Sequence, residues 1–195
     1  MTSDEKKLHS RLKKCGALLE GHFLLSSGLH SPNYAQCALA LKDTALAAGL
    51  GARLKKAWKG PKPDVILSPA LGGLIIGHET ARAFGVDFMF TERDNGAMTL
   101  RRGFSLKPGT KVLIVEDVFT TGKSTMEVFE TAKKARAEVL GALSIVNRMG
   151  ERSFYFPSAS LLKLDFTAYP AADCPLCAKR VPLVKPGSRT ARSAA

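Results

Sequence analysis

The chain has 195 residues, 45% of them hydrophobic, and its 29 Lys and Arg against 17 Asp and Glu give a formal net charge of +12. This size fits one domain with its own core, no apolar run reaches the roughly 20 residues that cross a bilayer, and the charged N-terminus lacks a signal-peptide core. Four cysteines are too few for a disulfide scaffold, so we expect a cytoplasmic protein without a membrane partner.

The N-terminal 40 residues predict one helix followed by a short strand pair. An apolar stripe predicts an amphipathic helix over residues 4–19, with Ser3 as its N-cap and Gly21 at its end. The residues of this stripe are Leu8, Leu12, Cys15 and Leu19. Residues 23–25 begin a short strand, and residues 34–37 are its expected partner.

The next stretch predicts a helix, a buried strand and a second helix. Asp43 is the expected N-cap of a helix over residues 45–58. Residues 65–67 form a short apolar run that is typical of a parallel strand buried on both faces. The turn at residues 68–73 ends in paired glycines, which permit an anion to approach free backbone N–H groups before the helix at residues 74–84.

A third strand is expected at residues 86–90, and residues 91–102 then show neither helical nor strand periodicity. A polar connection of this length, which contains Gly96, often serves as a lid over a site. Its arginines can bind phosphate oxygens through two parallel hydrogen bonds. Arg93 is the best candidate for that contact, whereas Arg101 and Arg102 can instead be surface charges.

The most informative stretch runs from residue 111 to residue 125. Four apolar residues, 112–115, predict a buried parallel strand, and Glu116 and Asp117 follow where that strand should end. A helix start then follows a small-residue loop, and such a start attracts phosphate. The side chains suited to a phosphate monoester are Thr120, Thr121, Lys123, Ser124 and Thr125. Because a carboxylate accepts hydrogen bonds from hydroxyls, the two acids suit a neighbouring polyol, and the stretch indicates a sugar phosphate.

Two other interpretations of this stretch are weaker. Gly122, Lys123 and Ser124 resemble the end of a nucleotide-binding P-loop, but that motif requires a glycine at position 117, where this chain has aspartate. An ordinary strand-turn-helix does not account for the density of acids and hydroxyls after a buried strand.

Beyond a helix that ends near residue 136, a strand at residues 139–147 leads to Arg148, and a last strand is expected at residues 161–166. Arg148 follows a strand end, so it points to the same rim of the sheet as the earlier loops. The remainder, rich in proline and basic residues, is expected to be extended, with residues 188–195 disordered.

Cys174 and Cys177 form one metal-like pair. A structural zinc site needs four ligands, so Cys15, Cys37 or a dimer mate would have to complete it. For His22 and His30 a structural or surface role is expected rather than a catalytic one, because no acid or third ligand lies near them in the sequence.

The strand, the two acids and the hydroxyl-rich loop resemble the phosphoribosyl pyrophosphate motif of type I phosphoribosyltransferases. Further segments resemble orotate phosphoribosyltransferases in that family's order, over about residues 12–183. These are residues 21–28, 31–34, 69–73 and 100–104, and Arg148.

The resemblance implies an α/β single domain, with a parallel twisted sheet flanked by helices, a small N-terminal hood and a flexible loop. It divides the chain into a helix and hood (1–40), a phosphoribosyltransferase core (41–170) and a C-terminal extension (171–195). The implied reaction transfers phosphoribose from phosphoribosyl pyrophosphate to orotate, giving orotidine 5′-monophosphate and pyrophosphate in de novo pyrimidine biosynthesis. Mg²⁺ is the implied cofactor, and the implied state is a homodimer that binds no nucleic acid.

Site residues follow by the same resemblance. The catalytic set is Glu116, Asp117 and Arg93. The phosphoribosyl pyrophosphate set is Leu71, Gly72, Arg93, Glu116, Asp117, Val118, Phe119, Thr120, Thr121, Gly122, Lys123 and Ser124. The orotate set is Thr120, Arg148, Tyr34 and Ser26. No residue is expected to ligate Mg²⁺ directly, since substrate and water would hold it near Glu116 and Asp117.

Three alternatives stay open from the sequence. One is another acceptor base on the same scaffold. Another is a non-catalytic regulator that keeps the phosphoribosyl site and binds nucleic acid through its basic surface, although no nucleic-acid-binding motif accompanies the charge. The third is a P-loop nucleotide hydrolase.

Overall fold

The computed structural model describes residues 1–25 and 27–186. Within this part of the chain a two-stranded hairpin packs beside a six-stranded sheet of order β5-β4-β3-β6-β7-β8. The elements are α1 (Ser3–Lys14), β1 (Leu18–Leu24), β2 (His30–Ala35), α2 (Ala38–Leu41), α3 (Thr44–Ala57), β3 (Val65–Pro69), α4 (Gly73–Phe84), β4 (Asp87–Asp94), β5 (Ala97–Leu100), β6 (Lys111–Phe119), α5 (Lys123–Lys134), β7 (Glu138–Asn147), β8 (Ser158–Lys163) and α6 (Pro175–Ala178).

The large sheet is parallel except for β5, which pairs with β4 in the antiparallel sense at the edge. Side chains alternate between the two faces of a strand, so those of β6 contribute to two hydrophobic cores, one on each face of the sheet. Leu113 and Val115 pack with residues of α3 and α4. Val112 and Ile114 pack with residues of α5. The continuous apolar run in the sequence therefore reflects burial on both faces, and the predicted α/β class and mainly parallel sheet are confirmed.

The N-terminal helix is shorter than the periodicity predicted. It ends at Lys14, so Leu19 and Gly21 belong to β1. Its N-cap is Thr2 rather than Ser3: the Thr2 hydroxyl accepts from the Glu5 N–H at 3.2 Å, and the Glu5 carboxylate accepts from the Thr2 N–H at 2.6 Å. This reciprocal capping box satisfies two donors at once.

The expected lid is a β-hairpin rather than an irregular loop. β4 runs on to Asp94, and β5 returns after a two-residue turn at Asn95 and Gly96, which have φ angles of 48° and 86°. An Asn-Gly pair is the preferred sequence of such a turn because both residues tolerate positive φ. Arg102 closes the base of the hairpin through two hydrogen bonds to Glu92, at 2.7 and 2.8 Å.

The C-terminal segment folds back onto the β1–β2 hairpin, which we call the hood. Tyr169 and His30 exchange two backbone hydrogen bonds of 2.8 Å, and the Val184 N–H donates to the His22 carbonyl at 2.8 Å. The last strand of the sheet lies at Ser158–Lys163, earlier than predicted. Residues 188–195 lie outside the described part of the chain. No helix among the described residues is long and apolar enough to cross a membrane.

Candidate active site

Loops that follow three parallel strands meet at one edge of the sheet. The turn at residues 70–72 follows β3, the loop at residues 120–122 follows β6, and Arg148 directly follows β7. The Arg148 N–H donates to the Phe119 carbonyl at 2.9 Å, which fixes the end of β7 against the end of β6. Because ligands of open α/β sheets bind at the carboxyl ends of the strands, this edge is the candidate active site.

The two acids lie within β6 rather than after it. β6 continues to Phe119 because it keeps its parallel pairing with β7, with Glu116 opposite Ser144 and Val118 opposite Val146. Consecutive residues of a strand face opposite sides, so the two carboxylates diverge. Glu116 faces α5, where it accepts a hydrogen bond from the Thr125 hydroxyl. Asp117 faces the other side, toward α4 and the hood.

Asp117 lies directly against the glycine turn. A Cβ atom at Gly72 would lie 2.7 Å from the Asp117 Oδ1 atom, so the absence of a side chain lets the turn approach the carboxylate. The same oxygen accepts from the Val118 N–H at 2.9 Å. Burial raises the pKa of Asp117, while its backbone hydrogen bonds oppose that rise. Leu71, beside Gly72, is 76% exposed and open to a ligand at this edge.

The loop after β6 leads into a helix start that is only partly capped. Gly122, the N-cap of α5, has a φ of 79° and no side chain that could cap the helix, while the Thr121 hydroxyl accepts from the Lys123 N–H at 3.3 Å. The N–H groups of a first helical turn have no acceptor within the helix, so those of Ser124 and Thr125 are available to an anion. Thr120, Thr121 and Lys123 are exposed beside them.

Three residues of this stretch are placed differently from the simplest expectation. The Val118 and Phe119 side chains are only 8% and 1% exposed, so a ligand at the rim would meet their backbone alone. The Thr125 hydroxyl, which the sequence offered to a phosphate, is buried and donates to Glu116.

Arg148 and Asp117 both lie close enough to Tyr34 for their charges to affect its pKa. Burial raises the pKa of Tyr34. The positive charge of Arg148 lowers that pKa, and the negative charge of Asp117 raises it. The Arg148 guanidinium lies 5.0 Å from the centre of the Phe166 ring, a contact that the sequence did not indicate. Burial lowers the pKa of Arg148. Ser26 lies outside the described residues.

Arg93, on the hairpin lid, is already engaged. Its guanidinium donates to the Gly96 carbonyl at 2.8 Å and forms an ion pair with Glu127 of α5. Glu127 also acts on Glu116, since its charge contributes to raising the pKa of that acid. Glu127 is thus a site residue that sequence reasoning missed, because its importance depends on a lid contact 34 positions away.

Glu116 should make the stability of the protein pH-dependent. Burial raises its pKa from 4.5 to about 8, although the hydrogen bond from Thr125 opposes the rise. The folded state therefore holds this proton more tightly than the unfolded state does, and the free energy of unfolding falls as the pH rises between about 4.5 and 8. The Glu116→Gln variant, which cannot ionise, should show a flatter dependence in urea unfolding without ligands. Glu138→Gln, at an exposed position, is the matched control, and equal slopes for wild type and Glu116→Gln would contradict the assignment.

Comparison with known proteins assigns the fold and the family. The phosphoribosyl transferase domain matches residues 41–155. An orotate phosphoribosyltransferase of Pelotomaculum thermopropionicum is 45% identical over 97% of this chain and 99% of its own length. One from Thermotoga maritima is 47% identical over 91% of this chain and 96% of its own. The crystal structure of orotate phosphoribosyltransferase from Aeropyrum pernix superposes with a TM-score of 0.64, at 26% identity, over 80% of this chain and 93% of the other.

Proposed function

Because the chain belongs to the orotate phosphoribosyltransferase family, we infer that it transfers phosphoribose from phosphoribosyl pyrophosphate to orotate. The products are orotidine 5′-monophosphate and pyrophosphate, a step of de novo pyrimidine biosynthesis. The observation that carries this proposal is the identity of 45% over nearly the whole length of a curated relative. The meeting of acids, hydroxyls and a free helix start at one sheet edge supports it.

The loop at residues 120–124 would hold the 5′-phosphate of the donor. The helix start that follows this loop offers backbone N–H groups, which favour an anion through both hydrogen bonds and the helix dipole. The exposed hydroxyls of Thr120 and Thr121 and the ammonium of Lys123 add donors, and Ser124 adds another from the first turn.

Asp117 would act on the ribose. As the bond from C1 to pyrophosphate stretches, positive charge develops on the ribose ring and negative charge on the leaving group. A carboxylate fixed beside that ring stabilises the positive charge and accepts hydrogen bonds from the ribose hydroxyls. Glu116, on the other side of β6, would contact the ribose from the α5 side or hold the strand end through Thr125.

The leaving pyrophosphate would lie between the glycine turn and the lid. Leu71 and Gly72 present backbone groups there, and the lid would close when Arg93 exchanges Glu127 for a phosphate oxygen. The Glu127 carboxylate and the phosphate oxygen are both negatively charged, so the exchange replaces one ion pair of Arg93 by another. Closure would also exclude water, which competes with orotate as the nucleophile.

Mg²⁺ fits this site as an ion held mainly by the substrate. Glu116 and Asp117 diverge to opposite faces of β6, so together they do not form a direct carboxylate cage. Mg²⁺ commonly keeps several waters and binds substrate phosphates, and Asp117 is the acid that lies nearest the glycine turn. When bound, the ion would neutralise charge on the pyrophosphate.

Orotate would bind between the hood and the end of β7. The Arg148 guanidinium is a donor suited to the orotate carboxylate, and Tyr34 offers a ring to the base on the hood side. Thr120 and Ser26 complete the proposed contacts. We also propose a cytoplasmic homodimer, consistent with four unpaired cysteines and with exposed apolar residues such as Ile75 of α4.

The direct test is the loss of orotate absorbance in the presence of phosphoribosyl pyrophosphate and Mg²⁺. We expect turnover that requires both, and no comparable turnover with adenine or uracil as the acceptor. Turnover with another base instead would identify a different phosphoribosyltransferase. Absence of transfer together with salt-sensitive binding to duplex DNA would identify a regulator, and either result would overturn the proposal.

A further inference from the structure

Four side chains from opposite ends of the chain converge beside the hood. His22 lies in β1 and His30 begins β2, while Cys174 is the N-cap of α6 and Cys177 lies within that short helix. Their four potential ligand atoms all lie within 4.8 Å of one another. His22, His30 and Cys174 are buried, and Cys177 is exposed.

The distances within this cluster match a tetrahedral metal site. The His22 Nε2 and His30 Nδ1 atoms are 2.9 Å apart. The Cys177 sulfur lies 3.3 Å from His30 Nδ1 and 3.8 Å from His22 Nε2, and the Cys174 sulfur lies 3.5 Å from His22 Nε2. Zinc bonds of about 2.0–2.1 Å to nitrogen and about 2.3 Å to sulfur separate tetrahedral ligands by about 3.3–3.8 Å. The nitrogen pair would have to move apart slightly, and any pair wider than this, up to the 4.8 Å limit of the cluster, would have to close.

One hydrogen bond cannot account for all the close contacts of the His22 Nε2 atom. His22 Nδ1 lies 2.8 Å from the Val181 carbonyl, which can only accept, so Nδ1 carries a proton. In a neutral ring the other nitrogen, Nε2, then has one lone pair and can accept one hydrogen bond. Three polar atoms surround that nitrogen. A metal ion at their centre would take this lone pair together with those of the other three ligands.

We propose that His22, His30, Cys174 and Cys177 bind a structural zinc ion. Two thiolates and two imidazoles in a tetrahedral arrangement favour zinc over magnesium or calcium, which prefer oxygen ligands. All four positions are occupied by protein, so the site is closed and has no place for a substrate. The Val181 carbonyl orients the His22 ring, the kind of outer contact that metal-binding histidines usually make.

The ligands differ from those that the cysteine pattern suggested. Cys15 donates to the Leu12 carbonyl at 3.3 Å and Cys37 is fully buried in the main core, so neither belongs to the cluster. No dimer mate is needed, because the two hood histidines complete the set within one chain. Their burial also rules out the surface role considered for them.

The position of the ion would join the C-terminal segment to the hood. Backbone hydrogen bonds flank the cluster on both sides, between His30 and Tyr169 and between His22 and Val184. β2 also carries Tyr34, whose pKa is affected by the charge of Arg148. The ion would therefore stabilise the wall of the acceptor pocket without contacting a substrate, and the proposal is independent of which base that pocket accepts.

The test is the metal content of the full, untagged chain, expressed in medium containing zinc and purified without added metal or chelator. We expect about one zinc per chain, lost in Cys177→Ser and retained in Cys15→Ser. Cys177 is chosen because its side chain is exposed, so its replacement perturbs packing least. A chelator should lower the thermal unfolding midpoint of the wild type but not that of Cys177→Ser.

Exchange of zinc for Co²⁺ gives a second measurement that requires no change of sequence. A tetrahedral site with two thiolates should show intense visible bands and a sulfur-to-cobalt absorption in the near ultraviolet, and Cys177→Ser should lose both. The proposal is overturned if the wild type holds less than about 0.1 zinc per chain and gives no such Co²⁺ spectrum. Equal zinc in Cys177→Ser, or a Cys174–Cys177 disulfide in a thiol titration, would overturn it equally.

Discussion

Replacing Asp117 by asparagine is expected to lower kcat/KM for phosphoribosyl transfer by about a hundredfold or more while leaving the fold intact. The amide has the shape of the carboxylate, and its oxygen can still accept from the Val118 N–H, which Asp117 now does at 2.9 Å. The negative charge is lost at the point where positive charge develops on the ribose. Steady-state kinetics with both substrates varied, beside circular dichroism of the variant, would measure the effect.

Asp64→Asn is the matched control for this variant. Asp64 also accepts a hydrogen bond from a backbone N–H of β6, that of Lys111 at 2.8 Å, but it does so at the opposite end of the strand. The control should therefore retain activity close to that of the wild type. Near-normal turnover of Asp117→Asn would show that the ribose lies elsewhere.

Replacing Arg148 by alanine is expected to raise the KM for orotate by about 10- to 100-fold, since hydrogen bonds to charged groups contribute about 1.5–3 kcal/mol. The KM for phosphoribosyl pyrophosphate should change little, because the proposed donor contacts lie on β6 and the glycine turn. Initial rates at a saturating level of the fixed substrate would separate the two constants.

Arg152→Ala serves as the comparison, because Arg152 is exposed four residues further along the same segment. It should leave both constants unchanged. If Arg148→Ala also leaves the affinity for orotate unchanged, Arg148 does not bind the acceptor base. A base other than orotate then becomes the better candidate for the substrate.

Local sequence signals predicted the elements that build the active-site edge. The Asp43 cap was confirmed, with its side chain accepting from the Leu46 N–H at 3.0 Å. The strand at residues 65–67 and the helix that follows it were confirmed as β3 and α4. These features depend on neighbours within a few positions, so a run of apolar residues, a cap or a pair of glycines is enough to indicate them.

Features that depend on distant partners were not predictable in this way. The extension of β6 through Glu116 and Asp117 depends on pairing with β7, whose register no local pattern reveals. The metal-ligand cluster joins residues more than 140 positions apart, so the histidines carried no sign of their cysteine partners. The hairpin lid could have been predicted in part from local sequence. The Asn95-Gly96 pair is a turn signal, but the residues on either side are polar and show no strand periodicity.

The return of the C-terminal segment to the hood also constrains the order of events during synthesis. His22 and Val184 are joined by a backbone hydrogen bond, although almost the whole chain separates them. The sheet strands become available one after another as the ribosome extends the chain. The hood cannot complete its contacts until residue 184 has left the exit tunnel, which is after every strand of the large sheet has emerged.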